Sequence, residues 1–326
     1  DIDSLETIGQ YNYNQPKFGT STTAHPHIEK DNTFNLITKY GPVNYYQVTK
    51  MDAQAHKVAS IQTFTPSYMH SFGMSEKYYI IAESPYAVQS LKLITTNRPF
   101  IENFHWDTNR GTRIWVIDRS SNKVIYKTKV EPFFFFHFIN TFDTTEGVAF
   151  DIVTYPDANI IQAYYLDQIA SGTQALPGGK LKRISLNFNA DQEDDIEQLS
   201  NVGMELPHMD SDRYQMRPDY RYVYSPALQS EESKFYDQLV KVDIQDRKEI
   251  SWREPGCYPG EPVFVPYPES VAEDDGILIS LVLDADKKQS FLLLLWAADL
   301  TEISRVWAPE PILVGFHGNF FKHTMV

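Results

Sequence analysis

Apolar and β-branched residues along the chain come in short runs broken by Gly, Pro, Asp, Asn and Ser, as in "YYIIAES", "GTRIWVID", "KVIYKTKV", "YRYVYS", "GILISLVLDA" and "SFLLLLWAADL". Runs of this length, rich in Val, Ile, Tyr and Phe and bounded by turn residues, predict strands. A sustained helical period is hard to find. "EESKFYDQLVKV" at 231–242 is the best helix candidate, and its second half already reads as strand.

Several strands end alike, with an aspartate, a short polar turn and another apolar run, at Asp3, Asp52, Asp118, Asp246 and Asp299. Aspartate suits this place because its carboxylate accepts backbone N–H bonds from the turn it opens. "LPGGKLKRISLNF", with Gly178 and Gly179, supplies a looser copy between Asp118 and Asp246. The interval, roughly 50 to 65 residues, is near the ~40 to 50 of a four-stranded blade plus its loop. The pattern predicts an all-β fold, a β-propeller, occupying 1–326 as a single domain; ordinary hairpins in a sandwich are the alternative. No strand precedes Asp3, so the chain reads as the C-terminal part of a longer propeller.

The 326 residues carry a formal charge of −14, which argues against nucleic acid, since polyanion binding needs clustered Lys and Arg. A single cysteine, Cys257, excludes an internal disulfide framework and suits a reducing, cytoplasmic compartment. The longest apolar run, "FLLLLWAA" at 291–298, is far shorter than a membrane span.

Four of nine histidines stand beside apolar or small residues in strand-like or strand-leading contexts: His25 in "TTAHPHI", His70 in "SYMHSFGM", His137 in "FFFFHFIN" and His317 in "VGFHGNFF". Their separations, 45, 67 and 180 residues, are about one, one and three blade periods. Inner strands of different blades all face a propeller's axis, so four imidazoles at this spacing could share one metal ion. All-nitrogen ligation suits Fe, Zn, Cu or Ni. Singly, each is more simply a core histidine; jointly, they are harder to dismiss. His27 is a spare, and His56, His105, His208 and His323 read as surface residues. Glu205 in "GMELPHMD" and Glu261 in "YPGEPVFVP" sit against apolar segments and are candidates to accept the second ring N–H of ligand histidines.

Blocks running nearly end to end, "TAHPHIE", "YMHSFGMSEKYYIIAESP", "PFFFFHFINTFD", "MELPHMDSDRYQMRPDYRYVYS", "REPGCYPGEPVFVPYPESVAEDDGILISLVLDADKKQSFLLLLWAADLTEISRV" and "GFHGNFF", resemble the carotenoid cleavage oxygenases. This family also contains the retinal-pigment-epithelium retinoid isomerase and stilbene-cleaving oxygenases. The resemblance implies a seven-bladed propeller of which about two N-terminal blades are missing here. It implies Fe(II) held by His25, His70, His137 and His317. It implies three supporting glutamates, two of them Glu205 and Glu261, the third falling before Asp1.

The activity so implied is oxidative cleavage of a conjugated C=C bond in a carotenoid or apocarotenoid by O₂, giving two carbonyl products. Phe136, Tyr155 and Phe316 are candidates for an aromatic substrate tunnel. Retinoid isomerisation with ester cleavage, or stilbene cleavage, would use the same iron. A metal-free carotenoid carrier or scaffold is a reading from another class. A substrate dissolved in membranes implies peripheral membrane contact, and Leu91, Leu93, Phe100 and Ile101, with Lys92 and Arg98 beside them, form a candidate patch.

Overall fold

The apolar runs become strands in the computed structural model of the chain, which describes residues 1, 4–10, 19–51, 55–189, 192–313 and 315–321. The chain divides into two compact units, Asp1–Phe72 with Tyr79–Val130, and Gly73–Tyr78 with Glu131–Val326.

In the first unit, Thr20–Thr22, Asn32–Lys39, Asn44–Met51 and Ala55–Thr63 form an antiparallel sheet in that order, and His27–Glu29 also pairs with Asn32–Lys39. Lys123–Val130, Thr112–Asp118 and Tyr78–Glu83 lie side by side in a second sheet. A two-residue ladder joins Tyr86–Ala87 to His105–Trp106.

In the second unit three antiparallel sheets follow one another along the chain. The first orders Phe134–Asp143, Gly147–Tyr155, Lys180–Asn187 and Asp195–Gln198; the second, Gly203–Met204, Tyr222–Leu228, Gln238–Asp243 and Lys248–Trp252. The third orders Cys257–Pro259, Gly276–Asp284, Gln289–Trp296 and Glu302–Trp307, with Val263–Pro266 also paired to Gly276–Asp284.

Each of these sheets grades from buried to wet. Gly147–Tyr155 is buried at every position, whereas Asp195–Gln198 is exposed at every position and Lys248–Trp252 at all but its last. Charged outer strands discourage the unpaired edge from recruiting another chain, and continuous apolar runs suit strands covered on both faces. One core cluster joins Tyr224 and Leu239 to Cys257, Phe264, Leu278, Val282, Phe291, Leu293 and Leu295. Within it the rings of Tyr224 and Phe264 stack 5.7 Å apart.

Some sequence expectations need correction. The stretch 231–242 holds no helix: turns lead into the strand Gln238–Asp243. The helices described are short, at Lys92–Thr95, Asn159–Ala163, Leu166–Ser171 and Ser211–Tyr214, with a 3₁₀ turn at Phe100–Asn103. Asp246 does not fix its turn. Asp243 Oδ1 accepts from the N–H groups of Gln245 (3.1 Å) and Asp246 (3.0 Å), while Asp246 turns to Arg221. The aspartate that ends the strand is the one that holds the turn, as Asp118 does by accepting from Ser121 N–H at 2.7 Å. Asp299 accepts from Thr301 N–H at 2.9 Å. Gly178 and Gly179 form no hairpin; they lead into Lys180–Asn187 after the two helices at 159–171. Asp3, Asp52 and His323 lie outside the described residues.

Candidate metal centre

The candidate histidines lie two in each unit. In the first, His25 lies in an irregular stretch ahead of His27–Glu29, braced by Thr23, whose hydroxyl donates to Asn35 Oδ1 at 2.6 Å. His70 follows a segment tied to Tyr86–Ala87 through Tyr68 N–H to Tyr86 O (2.9 Å) and Val88 N–H to Pro66 O (2.9 Å). The Nε2 atoms of His25 and His70 are 3.0 Å apart. Two imidazole nitrogens about 2.1 Å from one ion and at right angles to each other would stand about 3.0 Å apart, so this pair fits adjacent positions on a single metal.

His70 Nδ1 is 3.0 Å from the Tyr68 hydroxyl. Burial raises the Tyr68 pKa to about 12, so this partner stays a neutral phenol. The spare, His27, points Nε2 at Phe72 O, 2.8 Å away, and stands edge-on to the Phe72 ring. Burial lowers its pKa and keeps it neutral.

In the second unit, His137 sits in Phe134–Asp143 where the pairing with Gly147–Tyr155 slips twice, between Phe135 and Phe138 and between Phe138 and Asn140. A bulge inserts an unpaired residue and re-aims the side chains at the slip. His137 Nδ1 bonds Glu205 Oε2 at 2.6 Å, so the nitrogen able to ligate is Nε2. The same carboxylate oxygen accepts from Leu206 N–H at 2.5 Å. Leu206 pays for that bend with φ +54°, a left-handed conformation that costs a bulky residue about 1–3 kcal/mol. Burial lowers the His137 pKa, with His317 adding to the effect, and holds the ring neutral. Burial raises that of Glu205.

His317 lies in no strand. Its Nδ1 bonds Glu261 Oε1 at 2.9 Å, and the other oxygen of Glu261 accepts from Gly318 N–H at 2.9 Å. The rings of His137 and His317 stand 5.0 Å apart and nearly perpendicular, with a donor nitrogen of each within 4.8 Å of the other. The Nδ1 atoms of His70, His137 and His317 are engaged from behind, which leaves Nε2 of each as the nitrogen that suits a transition metal.

Phe136 and Tyr155 are buried and pack edge to face at 6.1 Å, with Tyr164 6.0 Å from Phe136; Phe316 is exposed. His56 and His105 are exposed, but His208 is half-buried and near Glu261 and His317, contrary to its reading as a surface residue. It belongs to the same "MELPHMD" stretch as Glu205, and its two backbone bonds to Tyr224 draw it inward. Tyr68 escaped the sequence reading, although a residue two positions before a candidate ligand shares its side of an extended chain.

The sequence model of the family described as retinal pigment epithelial membrane protein matches residues 1–322. The chain belongs to this carotenoid oxygenase family. Among its relatives, the carotenoid isomerooxygenase of Galleria mellonella is 31% identical over 98% of this chain and 68% of its own length. The human mitochondrial carotenoid-cleaving dioxygenase is 27% identical over 98% of this chain and 65% of its own. A solved mutant of Synechocystis apocarotenoid oxygenase superposes with a TM-score of 0.82 at 22% identity, covering 99% of this chain and 70% of that one. The cobalt-substituted form of that enzyme gives 0.78 at 22% identity, covering 94% and 66%. The chain thus shares the β-propeller fold of those structures and spans about two thirds of the length of its relatives. Among the described residues, no helix is long and apolar enough to cross a membrane.

Proposed function

We propose that the protein is a non-haem iron dioxygenase that cleaves a conjugated C=C bond of a carotenoid or apocarotenoid, with O₂, to two carbonyl products. The observation that carries this reading is that each unit holds a pair of histidines with their rings side by side, in a family whose relatives are named for carotenoid cleavage. In this reading the two units form one propeller domain, and His25, His70, His137 and His317 together hold one Fe(II). When bound, the ion supplies activation of O₂ next to the substrate double bond.

The residues do the rest. Glu205 and Glu261 keep the proton on Nδ1 of His137 and His317, leaving Nε2 as the donor. Phe136, Tyr155 and Phe316 would line the path of the polyene; the first two are buried, Phe136 beside the His137 ring and Tyr155 packed on Phe136. The test is aerobic incubation with an apocarotenal under ¹⁸O₂. Loss of the conjugated absorption with labelled carbonyl products supports cleavage; an unchanged polyene refutes it.

A second reading follows from the Galleria relative, named an isomerooxygenase. A cis double bond in one product would add isomerisation to the cleavage.

Glu261→Gln keeps the shape of the carboxylate but not its charge. It should retain the fold and weaken metal binding or turnover about 10- to 100-fold. Full metal content and rate in that variant would leave Glu261 only as the anchor of Gly318 N–H.

For a membrane-dissolved substrate we propose one-sided contact through the segment around the helix Lys92–Thr95 and the turn Phe100–Asn103. Leu91 is 67% exposed and Phe100 45%, while Leu93 and Ile101 are half-buried. Net charge of −14 makes adhesion to anionic lipid weak, so insertion of apolar side chains should dominate and survive high salt. In co-sedimentation with neutral vesicles at raised salt, a Leu91→Ser, Phe100→Ser variant should lose most binding. Equal sedimentation of variant and wild type would place the contact elsewhere.

A further inference from the structure

One oxygen of Glu205, Oε1, is sealed from water and has no hydrogen-bond partner among the described residues. Its other oxygen carries both His137 Nδ1 and Leu206 N–H. The Tyr155 hydroxyl is in the same condition, sealed and unpartnered among the described residues. A buried acceptor and a buried donor left so are each destabilising. They are neighbours: a Cβ on Gly179 would stand 2.9 Å from Tyr155 Cζ and 2.8 Å from the carbonyl oxygen of Met204, the residue before Glu205.

Tyr155 ends the strand Gly147–Tyr155, and its ring is boxed in. Phe134 and Phe136 lie 6.3 and 6.1 Å away, and Gly179 passes so close that a Cβ there would stand 2.9 Å from Tyr155 Cζ. The Tyr164 and Tyr236 hydroxyls, bonded to each other at 2.6 Å, complete a buried phenol cluster around Glu205. Burial raises the pKa of all three phenols, so each keeps its proton to donate.

We propose that Tyr155 is a positioning residue for the metal centre: its hydroxyl donates to Glu205 Oε1 across one buried water, and so fixes the carboxylate that orients His137. This rests on the metal-centre reading above and gives Tyr155 a task separate from lining a substrate path. The phenol supplies the donor that the second carboxyl oxygen needs in an apolar wall. A phenyl ring in its place leaves Oε1 bare and Glu205 a poorer partner for the imidazole.

Cobalt(II) titration followed by visible absorption reads the centre without turnover. Four proteins are compared: wild type, Tyr155→Phe, Glu205→Gln and the double variant. Tyr155→Phe should bind cobalt about 10-fold more weakly than wild type, with a shifted ligand-field spectrum and an unchanged circular dichroism spectrum. In the Glu205→Gln background the same substitution should cost nothing further, because the phenol acts only through the carboxylate. Equal affinity of wild type and Tyr155→Phe, or an undiminished loss in the Glu205→Gln background, overturns the assignment alone. A wild type that takes up no cobalt overturns the metal centre and this assignment with it.

Discussion

His137→Ala should abolish metal retention and, with it, cleavage. His137 is buried, neutral and committed through Nδ1 to Glu205, so the substitution removes a ligand and strands a buried carboxylate at once. Elemental analysis after Fe(II) loading decides the matter. Metal content should fall below about a tenth of wild type, the loss expected when even a supporting residue of a metal site is removed. His56→Ala, at an exposed position, should keep its metal and serves as the control. Wild-type iron in His137→Ala would remove His137 from the site, and the proposed function would lose its best-anchored ligand.

The strands were legible because they are amphipathic or continuously apolar over their own length: "GILISLVLDA" alternates buried and half-buried positions, and it became Gly276–Asp284. The turns were legible in kind but not in detail. Two aspartates three residues apart in "DIQD" compete for one turn, and only the strand's end at Asp243 decides between them. The candidate site was harder for a physical reason. His137 and Glu205 are 68 residues apart and His317 and Glu261 are 56 apart, so no local pattern encodes either bond. Blade spacing suggested the histidines, yet only His137 of the four stands inside a strand; His70 occupies a bend and His25 and His317 irregular stretches. The slip that turns His137 leaves no mark in "FFFFHFIN", because a bulge is a property of the pairing and not of one strand's sequence. The Glu205 neighbourhood shows the same limit: Tyr155 reads as a tunnel candidate and nothing in the sequence marks Tyr164 or Tyr236 until the fold brings all three near one carboxylate.

The other large effect concerns stability, and it falls on Glu83. This residue is fully buried in the first unit and would be costly there but for its partners. Oε1 accepts from the Tyr46 hydroxyl at 2.9 Å and the Thr63 hydroxyl at 2.6 Å and pairs with Arg110 at 2.8 Å; Oε2 pairs with Arg113 at 2.5 Å. Glu83→Ala leaves two guanidinium groups and two hydroxyls facing an apolar gap. The side chain of Arg110 is only 11% exposed, so it cannot easily escape to water, whereas Arg113 at 27% can escape in part. Breaking a buried pair from one side costs about 3–5 kcal/mol, and the partial escape of Arg113 points to the lower end of that range. Equilibrium urea unfolding measures it. The consequence should also reach the candidate site, because Tyr46, which Glu83 fixes, accepts from Ser67 N–H at 2.7 Å, three residues before His70. Glu83→Ala should therefore weaken metal binding even where the protein remains folded. A loss of less than about 1 kcal/mol, the size of an exposed ion pair, would mean that both arginines relax into solvent and that the network orders the approach to His70 without stabilising the unit.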